Sequence, residues 1–216
     1  MRKLPVYLLL DTSGSMSGEP IESLKIGLRT LIESLRAEPQ IIEMAHLSII
    51  TFSDRAYNFV PITPITNLQM PDESKLVARG TTNLGEALTL LNDSIEKDVV
   101  AGDKDREIQG DYKALVFLLT DGNPTDRRWE SAVAKLNRKK IAYIVSLGLG
   151  DLISTDNLEM ISQNPEYVYK FSETDPATFK DLFKAISQSI TTSVGVNNED
   201  PKPVLPPKPG EDDDLL

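Results

Sequence analysis

Apolar residues fall along this chain in two alternating patterns, short unbroken runs and stretches that recur every three or four residues. Val6 to Leu10 is an almost unbroken apolar run, the signature of a strand covered on both faces. It ends in Asp11 and a Thr-Ser-Gly-Ser loop. Pro20 then suits a first helical turn, where its missing N–H costs nothing, and Ile21, Leu24, Leu28, Leu31 and Leu35 line one face of a helix running to about Leu35. Leu47 to Phe52 predicts a second buried strand. Tyr57 to Val60 predicts a shorter edge strand, closed by Pro61 and Pro64. Residues 62 to 80 read as loop or extended chain. Asn83 and Glu86 then have capping-box spacing before a helix that buries Leu84, Leu88, Leu91 and Ile95.

Lys97 to Asp111 is charged and reads as an exposed connection. Ala114 to Leu119 is the next buried strand and it too runs into a carboxylate, Asp121. A helix over roughly Trp129 to Lys139, a strand from Ile141 to Leu147, a short helix around Asn157 to Ile161 and a short strand at Tyr167 to Tyr169 follow. The last helix opens at Asp175-Pro176 and buries Phe179, Leu182, Phe183, Ile186 and Ile190. This alternation predicts an α/β, doubly wound fold: a mostly parallel central sheet with one antiparallel edge strand, flanked by helices. Residues 1–198 make one domain. Residues 199–216, rich in proline and acid, read as a disordered or polyproline-like tail, either solubilising or a docking segment.

Composition narrows the chemistry. The chain has no cysteine and one histidine, His46, which rules out disulfides and thiolate chemistry and leaves little for a zinc site or a Ser-His-Asp triad. His46 lies in a strand-like run and reads as structural. With 33 acidic against 23 basic residues the formal charge is −10, which repels phosphate backbones and makes nucleic acid a poor partner. No apolar stretch approaches the roughly 20 residues that cross a bilayer. The basic pair Arg2-Lys3 precedes an apolar run too short for a signal peptide, so export is not expected.

The candidate chemistry lies in three segments. Asp11-Thr12-Ser13-Gly14-Ser15 alternates oxygen-bearing side chains along a loop that leaves a central strand, with Gly14 placed to turn both serines inward. Gly80-Thr81-Thr82-Asn83 supplies hydroxyls just before a helix. Thr120-Asp121-Gly122 supplies a carboxylate just after a strand. Ligands of doubly wound folds bind beyond the carboxyl ends of the strands, and all three segments would open there. Carboxylate and hydroxyl oxygens suit magnesium, calcium or manganese rather than zinc or copper. Each segment also has a plain structural reading, Asp121-Gly122 as a common turn and Thr82 as a helix cap.

Together the segments Leu10–Met16, Gly80–Leu88 and Leu119–Gly122 resemble the three parts of the metal-ion-dependent adhesion site of von Willebrand factor A domains, over roughly residues 5 to 192. Matched by motif, Asp11, Ser13, Ser15, Thr82 and Asp121 take the ligand positions, with Thr81 where many members carry a second glycine. The resemblance implies a divalent cation, magnesium first and manganese or calcium in its stead. It also implies a non-catalytic protein-binding module, whose partner supplies a glutamate or aspartate carboxylate to the cation. Leu4–Ile21 and Leu118–Asp126 are most similar to bacterial tellurium-resistance members of the family. That closer likeness implies a cytoplasmic, stress-associated protein encoded beside a protein kinase or a PP2C-type phosphatase as possible partner. Two other readings stand beside this one. A metal-dependent phosphohydrolase would need more carboxylates and a general base, for which Asp126 is the spare candidate. A scaffold would use the cation only to stabilise loops.

Overall fold

β1, Leu4–Asp11, is buried at every position, as its unbroken apolar sequence requires of a central strand. In this computed structural model, which describes residues 2–102, 109–136, 138, 140–172, 175–192 and 203, it pairs in parallel with β2 (Ala45–Phe52) on one side and β4 (Ala114–Thr120) on the other. β3 (Ala56–Pro64), β5 (Ile141–Leu149) and β6 (Val168–Phe171) complete a sheet of order β3-β2-β1-β4-β5-β6. Every pairing is parallel except β2 with β3. The chain winds outward one way from β1 and the other way from β4, so the topological switch point lies between these two strands. Open α/β sheets bind ligands at such a point, beyond the carboxyl ends of the strands.

Helices cover both faces. Leu4, Val6, Leu8 and Leu10 meet α1 (Glu19–Ala37) and α5 (Pro176–Thr192) in one core. Tyr7 and Leu9, pointing the opposite way along the same strand, meet α2 (Leu84–Asp98) and α3 (Trp129–Lys135) in the other. This is the two-residue period of a strand expressed as two layers. Beyond them, α4 (Thr155–Ser162) buries Leu158 against Ile153 and Val168 near the β6 edge. The periodic residues expected inside α1, α2 and α5 are all buried.

The structure departs from the sequence reading at several boundaries. β3 does not stop at Val60; it continues through Pro61 to Pro64, with Thr63 and Pro64 still registered against Leu47 and His46. An edge strand tolerates proline because the missing N–H faces away from its single neighbour. α3 ends at Lys135 rather than near Lys139, where Leu136 N turns back to Val133 O. Tyr167 belongs to a short 3-10 turn, and β6 starts one residue later. In the connection expected from Lys97 to Asp111, Asp111 N donates to Val100 O, and 103–108 lie outside the described residues. The 199–216 segment also lies outside them apart from Pro203, which is buried. His46 sits in β2 with Nδ1 2.9 Å from Met44 O. No helix among the described residues is long and apolar enough to cross a membrane.

α1 and α5 approach closely because position 27 is glycine: a Cβ there would fall within the Phe183 ring, which is fully buried. Alanine would favour the helix by about 1 kcal/mol. Forcing the ring off its rotamer costs roughly 1–3 kcal/mol and wins when the overlap is this deep. Gly27→Ala is therefore expected to lower the urea midpoint despite its better helix propensity, and a raised midpoint would show that the helices slide apart freely.

Candidate functional site

The register of β1 with β4 builds the site. Leu10 lies opposite Leu119, so the next residues along the two strands, Asp11 and Thr120, are neighbours at the carboxyl edge. Thr120 Oγ1 donates to Asp11 Oδ2 at 2.5 Å, and Ser13 N donates to Asp11 Oδ1 at 2.8 Å. The Asp11 carboxylate is fully buried, and that burial pushes its pKa from 3.8 up to about 6 despite both hydrogen bonds. Repulsion from Asp121 adds a smaller push in the same direction. Burial also raises the carboxyl of Asp121, which is half-exposed.

Beyond Asp11 the chain makes a 3-10 turn at Gly14–Met16 and brings its two serines together. Ser13 Oγ lies 3.0 Å from Ser15 Oγ, and Ser15 Oγ donates to Asp121 Oδ1 at 2.7 Å. Four residues expected at the site from sequence are thereby joined in one cluster. The fifth, Thr82, is buried and approaches from the third segment: a Cβ on Gly122 would stand 3.4 Å from Thr82 Oγ1. Thr82 is not a helix cap. That role falls to Asn83, whose side chain accepts from Glu86 N at 3.3 Å. The reciprocal half of the capping box is absent, because Glu86 Oε1 takes Ala56 N instead.

Several supporting residues carry no ligand signature in the sequence. Gly14 is glycine for close approach, not for a left-handed turn: its N–H donates to Gly80 O at 3.0 Å, and a Cβ would crowd that oxygen. Gly80 has φ 76, in the left-handed region that glycine favours, and a Cβ there would strike the Asp54 carboxylate. Asp54 Oδ1 in turn accepts from both Thr81 N and Thr81 Oγ1 at 2.8 Å, tying the threonine loop to the end of β2. Thr125 N donates to Thr82 O at 2.9 Å, and Thr82 N donates to Thr125 Oγ1 at 3.2 Å. A side chain that bonds only backbone looks like any turn residue until the loops are folded together.

Asp126, the spare candidate for a general base, is engaged otherwise. Its two oxygens accept from Gly85 N and Arg128 N, both at 2.9 Å, so it seals the start of α2 against the α3 approach. Among the described residues no group of three or more His, Cys, Asp or Glu converges. The cluster contains two carboxylates and hydroxyls.

Two strand-end aspartates among serine and threonine hydroxyls at the switch point define an open α/β domain with an oxygen-lined carboxyl edge. The von Willebrand factor type A domain model matches residues 6–185, and the chain belongs to that family. It is 28% identical over 207 residues to an uncharacterized protein of Synechocystis, covering 91% of this chain and 44% of that one. It thus spans less than half the length of that relative. The fold is shared with proximal thread matrix protein 1 of the mussel byssus, whose adhesion-site motif holds zinc (TM-score 0.63, 17% identity, 88% of this chain and 48% of that one). It is shared also with the pilus adhesin SpaC of Lactobacillus rhamnosus GG (TM-score 0.71, 14% identity, 89% and 31%). The class is that of non-catalytic protein-interaction modules. The cytoplasmic location expected from sequence is corrected by these similarities, because the byssus matrix protein and the pilus adhesin are extracellular.

The buried Asp11 makes a pH prediction for metal-free protein. With its folded pKa raised from 3.8 to about 6, the folded state holds the extra proton between those values. Stability contributed at this position is therefore lost as pH rises from about 4 to about 6 and stays lost above. Asp11→Asn keeps an acceptor for Ser13 N and removes the charge. In urea melts of chelator-treated protein the variant should exceed wild type at pH 7 by on the order of 2 kcal/mol, with the gap closing near pH 4. A gap that does not change with pH would count against the buried-charge account.

Proposed function

We propose that Asp11, Ser13, Ser15, Thr82 and Asp121 hold one divalent cation, magnesium first, with manganese or calcium able to replace it, and that the cation grips a carboxylate of a partner protein. The observation that carries this reading is the oxygen spacing. Ser13 Oγ, Ser15 Oγ and Asp121 Oδ1 stand 3.0 and 2.7 Å apart in sequence. Oxygens at right angles around magnesium, each about 2.1 Å from it, are about 3.0 Å apart. The donor set fits as well, since all five side chains offer hard oxygen and none offers sulfur or imidazole. The zinc-occupied motif in the byssus protein lends support from within the fold.

Each residue has a part. Asp121 and the two serines present their oxygens to the cation. Asp11, with both carboxylate oxygens already accepting hydrogen bonds, fixes the Ser13 loop and offers its remaining lone pairs through water. Thr82 closes the cluster from the α2 side. The bound cation would supply a Lewis-acidic position for an incoming carboxylate. Two fixed charges among neutral hydroxyls leave that position attractive even on a chain of net charge −10.

The partner chemistry is an aspartate or glutamate side chain. The segments Leu4–Ile21 and Leu118–Asp126 resemble the bacterial tellurium-resistance protein TerY, and this nominates a linked kinase or PP2C-type phosphatase as the protein that bears it.

Ser13→Ala should weaken magnesium binding at least tenfold in titration calorimetry and leave the far-ultraviolet circular dichroism spectrum in place. Partner capture should be lost on chelation and restored by magnesium. Full partner affinity in protein shown by metal analysis to be empty would refute the metal bridge.

A further inference from the structure

Beside the hydroxyl cluster lies a cleft of about 400 Å³ that the cation chemistry does not use, lined by Asn83, Gly85, Glu86, Thr89, Asp126, Arg127 and Arg128. It begins one residue beyond Thr82. Its two carboxylates are committed: Asp126 to Gly85 N and Arg128 N, and Glu86 to Ala56 N and Asn83 Nδ2. Its two guanidiniums are not. Arg127 and Arg128 are exposed, and neither side chain makes a hydrogen bond or ion pair among the described residues.

Folding does not account for these arginines. They stand immediately before Trp129, the first residue of α3, and Arg128 is its N-cap without a side-chain cap bond. That is the positive end of a short helix, where an acidic or hydroxyl cap would serve better than a cation. Among the described residues no side chain pairs with these two exposed guanidiniums, which leaves their donors open to an incoming anion.

We propose that this cleft is a second docking site for an acidic stretch of a partner protein, in which Arg127 and Arg128 pair with carboxylates flanking the one offered to the cation. This rests on the metal-bridge reading for the chemistry of the partner but not for the cleft itself. A partner with several clustered acidic residues would then be selected over one with an isolated carboxylate. Guanidiniums suit the task, because their planar fork accepts a carboxylate through two parallel hydrogen bonds.

The test uses fluorescein-labelled hexaglutamate as probe and hexaglutamine as the uncharged control, read by fluorescence anisotropy at low ionic strength with the full chain. In metal-stripped protein, R127Q/R128Q should weaken hexaglutamate binding at least about fivefold, the scale of two exposed charge pairs. Hexaglutamine should bind neither protein. The pair K180Q/K184Q, exposed on α5 across the sheet, changes net charge equally and should leave binding within twofold of wild type. Magnesium should tighten the probe by the same factor for wild type and R127Q/R128Q, and Asp11→Asn should lose that factor alone. Equal binding by wild type and R127Q/R128Q, or equal loss in K180Q/K184Q, overturns the cleft proposal. Absence of any magnesium effect on wild type, with the arginine effect intact, overturns the metal bridge and leaves the cleft standing.

Discussion

Two carboxylates held at neighbouring strand ends repel each other, and the architecture around them is organised to keep them there. The parallel register of β1 with β4 sets Asp11 beside Thr120 and Asp121 one residue further on. Nothing in a free chain would hold that pair, since burial and mutual repulsion both raise the Asp11 pKa. The fold meets the cost with donors rather than countercharges: Ser13 N and Thr120 Oγ1 on Asp11, Ser15 Oγ on Asp121. Among the described residues no lysine or arginine forms an ion pair with either carboxylate. A salt bridge would neutralise the site permanently, whereas hydroxyl and amide donors leave its negative charge available to a cation.

The rigidity behind the site comes from outside it. Asp54 pins the Gly80-Thr81 loop, Thr125 brackets Thr82, and Asp126 ties the start of α2 to the α3 approach. These contacts join three loops that share no sequence proximity, each through a side chain bonding a distant backbone group. Two glycines permit the closest approaches, Gly14 under Gly80 O and Gly80 against Asp54. The cluster therefore behaves as one structural unit, and a change in any of these loops is transmitted to the position of Thr82.

The strands and helices were legible because burial on two faces writes an unbroken apolar run and burial on one face writes a 3.6-residue period. β1, β2, β4 and α5 follow from that rule almost to the residue. The edge character of β3 is legible but its length is not, because Pro61 and Pro64 read as the close of a strand that in fact carries them to its end. The ligand-type residues were legible for a similar reason: Asp11, Ser13, Ser15 and Asp121 sit at strand ends, where alternation of oxygen-bearing side chains stands out. Asp54, Thr120 and Thr125 were not, since a residue that supports another side chain or a backbone amide has no pattern of its own. Cellular location was misread for a different reason. The same fold serves byssus and pilus proteins, so a likeness confined to loop segments carries no information about compartment.

The balance of charge explains why the site suits recognition rather than chemistry. An enzyme acting through water needs a group free to take a proton, and the nearest spare carboxylate, Asp126, has both oxygens engaged by backbone donors. Ser13 and Ser15 are nucleophile types without an imidazole beside them, as His46 lies in β2 with Nδ1 against the Met44 carbonyl. What the edge of the sheet does offer is geometry: clustered hydroxyl and carboxylate oxygens, a floor of buried strand ends, and an adjoining cleft with two uncommitted guanidiniums. On a surface of net charge −10, a cation held at this edge would create a local attraction for anions and so favour partners by where their acidic groups lie.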